Sequence, residues 1–215
     1  MADGERTIED RLREEYFVLL PEIRRVAEQL EAEVRYHVLP ISHGLETYEQ
    51  LVVKSRIKEC ESALDALRRR QEGATFDRDR PGLYTLTDLN DLAGIRILVF
   101  PRSRLTEIDG ALRRYTPFSS WNSDPVEDSG ELTALTYYGY SKASNKVKGE
   151  YQIVSMLTGL FWEVEHSAMY KPAPSLKGVT RSLQMQERYK EVFRALKEFE
   201  REFEVAVQLS RENTR

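Results

Sequence analysis

Cysteine is almost missing from this chain. Cys60 is the only one in 215 residues, which excludes a disulfide framework and, from this chain alone, a thiolate metal cluster. No apolar run approaches the length that a bilayer span requires. The opening residues, MADGERTIED, are polar and acidic and lack the apolar centre of a signal peptide. Neither charge sign dominates: 32 Lys and Arg stand against 36 Asp and Glu, a formal net charge of −4. That balance argues against wholesale electrostatic binding to nucleic acid and leaves room only for a local basic groove. Internal repeats and low-complexity tracts are absent as well. What is there is 40% hydrophobic and 32% charged, the composition of an ordinary soluble globular protein. The length suits one domain with a proper core and is short for two. The cytoplasm is the expected location.

Periodicity divides the chain. Thr7 and Asp10 form a capping-box pattern, and Ile8, Leu12, Leu19, Ile23, Val26, Leu30 and Val34 then recur at helical spacing. The N-terminal helical region is placed at 7–36, with Pro21 splitting or kinking it and a loop around Pro40 and Gly44. Residues 51–58 read as a strand and 59–71 as a basic helix. Residues 73–82 read as a loop, 92–100 (LAGIRILVF) as a buried strand, and 103–115 as a helix. Residues 117–131 are acidic and loop-like. Strands are expected near 132–142 and 150–156, joined by the turn SNKVKG, then a helix with Phe161, Trp162 and Val164. After PAPSLKG, one long helix is expected over 180–212, with an apolar stripe of Val192, Leu196, Phe199, Phe203 and Ala206. A central mixed sheet with helices packed on it follows from this order, an α+β architecture.

Four short runs carry chemistry. In RIKECES, alternation places Arg56 and Lys58 on one strand face, and Ser62 falls on the first turn of the next helix; such a set suits phosphate oxygens, though a solvated strand edge has the same pattern. In DLAGIRI, Asp91 stands at the mouth of the sheet, a common place for a magnesium ligand. Gly94 permits close approach to the backbone. Arg96 in an apolar run needs either a cleft or a structural carboxylate partner. In EYQ, Glu150 and Gln152 share one face, and Glu150 has the chemistry of a metal ligand or a general base. Finally, Glu165 and His166 share a helix with Trp162 and Met169, and Tyr140 offers a flat ring after Gly139. Each residue alone also fits packing or surface roles.

Taken in order, the runs resemble the synthetase domain of RelA/SpoT-type alarmone synthetases. They read Arg56-Ile-Lys58…Ser62, Asp91-Leu-Ala-Gly94-Ile-Arg96, Gly139-Tyr140, Glu150-Tyr-Gln152 and Phe161-Trp162…Glu165-His166…Tyr170-Lys171. The resemblance covers about residues 45–172, with flanking helices like those of small stand-alone members. It implies a single synthetase domain over residues 1–215 with a mixed five-stranded sheet, a nucleotidyltransferase-like fold and a long C-terminal helix. It also implies magnesium-dependent transfer of pyrophosphate from ATP to the 3′-hydroxyl of a guanine nucleotide, making (p)ppGpp. By carry-over, Asp91 and Glu150 are catalytic and hold Mg²⁺. Arg56, Lys58, Ser62 and Arg96 hold the ATP phosphates. Tyr140, Lys142, Gln152 and His166 line the acceptor side.

The departures cluster on that acceptor side. Ser141-Lys142-Ala143-Ser144 replaces a run with arginine, serine and histidine, and Lys142 lacks the bidentate fork of arginine. Val154 stands where an arginine is usual, and Ala66 where a lysine is, although Arg68, Arg69 and Arg70 lie close. Toxin branches of the family, which pyrophosphorylate the tRNA 3′ end, offer a second expectation, with Lys142, Lys146, Lys148, Lys171 and Lys177 as a basic surface. A catalytically silent nucleotide-binding module is a third. The apolar stripe of the last helix suggests a homo-oligomer or an antitoxin partner.

Overall fold

The computed structural model describes residues 7–128, 131–170 and 182–213. Thr7 caps the first helix, its hydroxyl accepting from the Asp10 N–H at 3.1 Å. From there α1 (Ile8–His43) runs 36 residues without a break. Pro21 does not split it, and the loop expected around Pro40 lies inside it. Both prolines sit on the exposed side, where the carbonyl that loses its partner meets water. The opposite side, from Leu12 through Ile23, Leu30 and Val34 to Val38, is buried along the whole length, and that burial outweighs the local cost of proline.

The sheet is mixed and five-stranded, in the order β1 (Gln50–Ile57), β2 (Ala93–Phe100), β5 (Lys148–Ser155), β4 (Glu131–Tyr140), β3 (Asn122–Asp128). β2 and β5 are parallel and the other pairs antiparallel. α2 (Cys60–Arg69) follows β1, while α3 (Leu105–Arg113) and the single turn α4 (Thr116–Ser119) connect β2 to β3. The stretch 117–131, expected to be a loop, therefore contains the fifth strand. Its acidic residues and Pro125 obscure it, and both are typical of an edge strand, where proline loses no ladder bond and charge discourages further pairing.

One face of the sheet is core. Val53, Ile95, Ile97, Tyr137, Tyr151 and Ile153 are buried beneath α1 and α3. Gly149 permits this contact, since a Cβ there would come within 2.3 Å of Leu30 Cδ1. After β5, α5 (Met156–Val164) turns back over the far end of the other face and continues as a wider helical turn, Glu165–Tyr170. It covers Leu98, Ala134 and Val154, and Gly159 makes room, as a Cβ would stand 2.4 Å from Leu98 Cδ2. Val154 is thus core, in a place where an arginine would have no water to reach.

The last helix, α6 (Leu183–Asn213), stacks Tyr189 and Phe193 on Phe161, with ring centroids 4.5 and 5.2 Å apart, and sets Phe203 against Phe100 in a tilted contact at 5.0 Å. The stripe expected there is only partly covered: Val192 and Phe199 remain 49% and 54% exposed. Among the described residues, the one buried side chain of α6 is Glu200, whose carboxylate accepts from Ser155 Oγ at 2.5 Å. No helix is long and apolar enough to cross a membrane among the described residues.

Candidate active site

The second face of the sheet is polar because strand alternation makes it so. Register aligns its residues in two rungs. Lys54, Arg96, Gln152, Thr136 and Asp124 form one, and Arg56, Gly94, Glu150 and Tyr138 the other. The first rung is bonded across four strands and α5. Lys54 Nζ donates to Glu163 Oε2 at 2.9 Å, and Arg96 Nη1 lies 3.7 Å from Glu163 Oε1. Arg96 Nε donates to Gln152 Oε1 at 3.0 Å, and Gln152 Nε2 to Thr136 Oγ1 at 3.3 Å. In the second rung Gly94 leaves a gap over which Arg56 lies flat, with its Cγ and Nε 3.4 Å from where a Cβ would be.

Two adjoining cavities open on this face. The first, about 370 Å³, lies at the mouth of the sheet and holds Lys58, Arg69 and Arg70 beside Asp91 and Glu150. Lys58 follows β1, and its backbone N–H donates to Leu92 O at 2.9 Å, which brings it against the residue preceding β2. Lys58 Nζ is paired with Asp91 Oδ2 at close range, and Arg56 Nη2 is 3.4 Å from the same oxygen. Burial, and then the neighbouring Asp91 charge, push the Glu150 carboxyl above its ordinary value. The two carboxylates thus meet in one crevice although 58 residues of chain separate them. They are hard oxygen donors with cations beside them, and two carboxylates plus substrate phosphates are what Mg²⁺ ordinarily takes. The residues therefore fit the metal.

The second cavity, about 460 Å³, is bounded by Arg56, Arg96, Trp162, Glu163, Glu165 and His166. Burial and the like charge of Arg56 lower the Arg96 guanidinium below its usual range. Its walls are planar groups, two guanidiniums and an indole, which suit stacking on a flat ring.

Other expected residues lie farther out. Ser62 is half-buried on the first turn of α2. Tyr140 is 51% exposed, on the same face and one step beyond Tyr138. Lys148 Nζ is 5.8 Å from the Tyr140 ring centre and donates to Asn90. Lys142 points elsewhere: its ammonium stands 5.6 Å over the Tyr115 ring, on the side of α1 and α3. Lys146 is exposed, while Lys171 and Lys177 lie outside the described residues. Sequence reasoning missed Glu163, Tyr138 and Asp124 as lining residues, and noted Arg69 and Arg70 only as neighbours. Strand alternation would have revealed Tyr138, two positions before Tyr140. Asp124 was hidden by reading its strand as a loop.

No family model and no curated protein matches the chain. Solved structures do. The small alarmone synthetase 1 from Bacillus subtilis superposes with a TM-score of 0.67 at 15% identity, over 93% of this chain and 99% of that one. The same enzyme bound to AMPCPP gives 0.63 at 18%, over 92% and 98%. Bound to its product pppGpp it gives 0.60 at 17%, over 90% and 96%. The chain has the small-alarmone-synthetase fold, the five-stranded mixed sheet with its long terminal helix included.

Proposed function

We propose that this protein is a magnesium-dependent pyrophosphokinase that transfers the β,γ-diphosphate of ATP to the 3′-hydroxyl of a guanine nucleotide. The observation that carries the reading is the meeting of Asp91 and Glu150 in one cavity with Lys58, Arg69 and Arg70. Structures of the same fold bound to AMPCPP, an ATP analogue, and to pppGpp support it.

The charges work as an exchange. Without substrate, Lys58 and Arg56 neutralise Asp91. Arrival of the triphosphate turns Lys58, Arg69 and Arg70 to phosphate oxygens, and Asp91 and Glu150 are the residues that would then hold Mg²⁺. When bound, the metal would supply charge neutralisation on the phosphates. The base of ATP occupies the neighbouring cavity between Arg56 and Arg96, so these arginines serve the base rather than the phosphates. The acceptor lies toward Tyr138 and Tyr140, flat rings on the adjacent strand, with Gln152 beneath.

In the reaction the 3′-oxygen attacks the β-phosphorus, the bond from that phosphorus to the α,β-bridging oxygen breaks, and AMP leaves. Glu150 takes the hydroxyl proton, a task for which a carboxylate with a raised pKa is suited. Little covalent work falls to the protein, and positioning plus charge does the rest.

A second reading is favoured by one feature. Val154 is core and Lys142 is turned toward Tyr115, so neither position supplies a cation for a free nucleotide's 5′-phosphates, and the tRNA 3′ end becomes the alternative acceptor. One assay separates the two. The protein is incubated with Mg²⁺ and ATP labelled in the β- and γ-phosphates, against GDP, GTP, ATP and bulk tRNA. Label in a tetra- or pentaphosphate supports the first reading, and label on tRNA alone the second. Label on no acceptor would overturn both.

A further inference from the structure

Glu163 is a carboxylate in the wall of the planar cavity, and the transfer chemistry does not use it. It belongs to α5, one residue after Trp162, and faces Arg56 and Arg96 across the opening. Its two oxygens are unequal. Lys54 donates to Oε2 at 2.9 Å, whereas Oε1 is 3.7 Å from Arg96 Nη1, beyond hydrogen-bond length. Oε1 thus has its charge balanced while retaining lone pairs to accept a hydrogen bond.

The layout of the face decides what would meet it. Moving away from the phosphate cavity, one passes Lys58, then the rung of Arg56 and Glu150, then the rung of Arg96 and Gln152, and finally α5. A nucleoside triphosphate with its phosphates at Lys58 and its base against the arginines must point the base edge remote from the sugar at α5. On adenine that edge carries the exocyclic N6 amine, a donor. A carboxylate in a partly desolvated wall accepts from such an amine with charge assistance.

Resting on the reading of this cavity as the base site, we infer that Glu163 is a specificity-determining residue that selects a donor nucleotide by its 6-amino group. An unsubstituted purine presents no donor to that oxygen, so the acceptor is left without a hydrogen bond when such a nucleotide binds.

The test measures binding calorimetrically, with Mg²⁺ and no acceptor, for ATP and for purine riboside triphosphate, which differs only in lacking the amine. The full chain is used, with Glu163→Gln, Glu163→Ala and Arg56→Ala, each checked by circular dichroism. The wild type is expected to prefer ATP by about tenfold or more, from a hydrogen bond to a charged group. Glu163→Gln should keep about a threefold preference through its neutral amide oxygen, and Glu163→Ala should have none. An undiscriminating wild type would overturn the inference. So would a Glu163→Ala variant that weakens both nucleotides alike and leaves their ratio intact, because Glu163 would then only position Arg96. Arg56→Ala addresses the underlying reading separately. If ATP binds it as tightly as it binds wild type, the base is not in this cavity and both fall. If ATP binding drops there while the ratio is untouched in Glu163→Ala, the inference alone fails.

Discussion

The two faces of the sheet are made by alternate residues of the same strands, yet they do opposite things. On one, Tyr151 and Ile153 are fully buried beneath α1 and α3, in a cluster of mostly apolar and aromatic side chains. On the other, their neighbours Glu150 and Gln152 join cations and carboxylates from four elements. The first face is insensitive to charge and intolerant of added volume. The second tolerates volume and depends on charge. A strand alternating with period two can hold core and chemistry 1 residue apart because its side chains never compete for the same space.

Substitutions at neighbouring positions should show that division. The largest effect belongs to Glu150→Gln, which should lower pyrophosphate transfer by about a hundredfold to a thousandfold, the scale of losing a key electrostatic group. Its thermal midpoint should equal or exceed wild type, since an ionised buried carboxylate beside Asp91 is removed. A transfer rate within threefold of wild type would break the comparison. At position 149, one residue away on the core face, Gly149→Val should cost about 1–3 kcal/mol in urea denaturation, because Leu30 already occupies the space.

A smaller effect sharpens the charged side. Burial and Asp91 raise the Glu150 pKa in the folded state above its ordinary 4.5, so protonation favours the folded form. That favourable term is full below the ordinary value and is lost as pH rises through the raised one. The stability advantage of Glu150→Gln over wild type should therefore be present at neutral pH and vanish on acidification toward 4.5, followed by thermal melts across that range. Gly94→Ala, on the polar face, should change stability by no more than about 0.5 kcal/mol, because the half-exposed Arg56 can shift, while ATP binding weakens several-fold. Smallest of all, Lys142→Ala should leave transfer within about twofold, since its ammonium faces Tyr115; a tenfold loss would return it to the acceptor side.

Much of this was legible beforehand. Helical periodicity from Ile8 onward and the apolar run 92–100 mark α1 and β2 correctly, because long periodic segments bury what their pattern implies. The pairing of Asp91 with Lys58 was not legible, since it depends on β1 and β2 being antiparallel neighbours in a particular register. The same holds for β3, whose Pro125 and acidic residues read locally as loop but are stabilised by pairing with β4. Pro21 misled for the opposite reason: its local penalty is real, and the core beneath α1 outweighs it.

By itself the amino-acid order determined which residue types are available and on which side of each element they fall, because helix and strand periods are local properties of the backbone. Only the tertiary structure decided that Arg56 and Arg96 face a cavity apart from Lys58 and Asp91, that Glu163 stands in its wall, and that Lys142 turns away. Those are distances between residues far apart in the chain, and only the packing of the sheet against α1, α2 and α5 sets them.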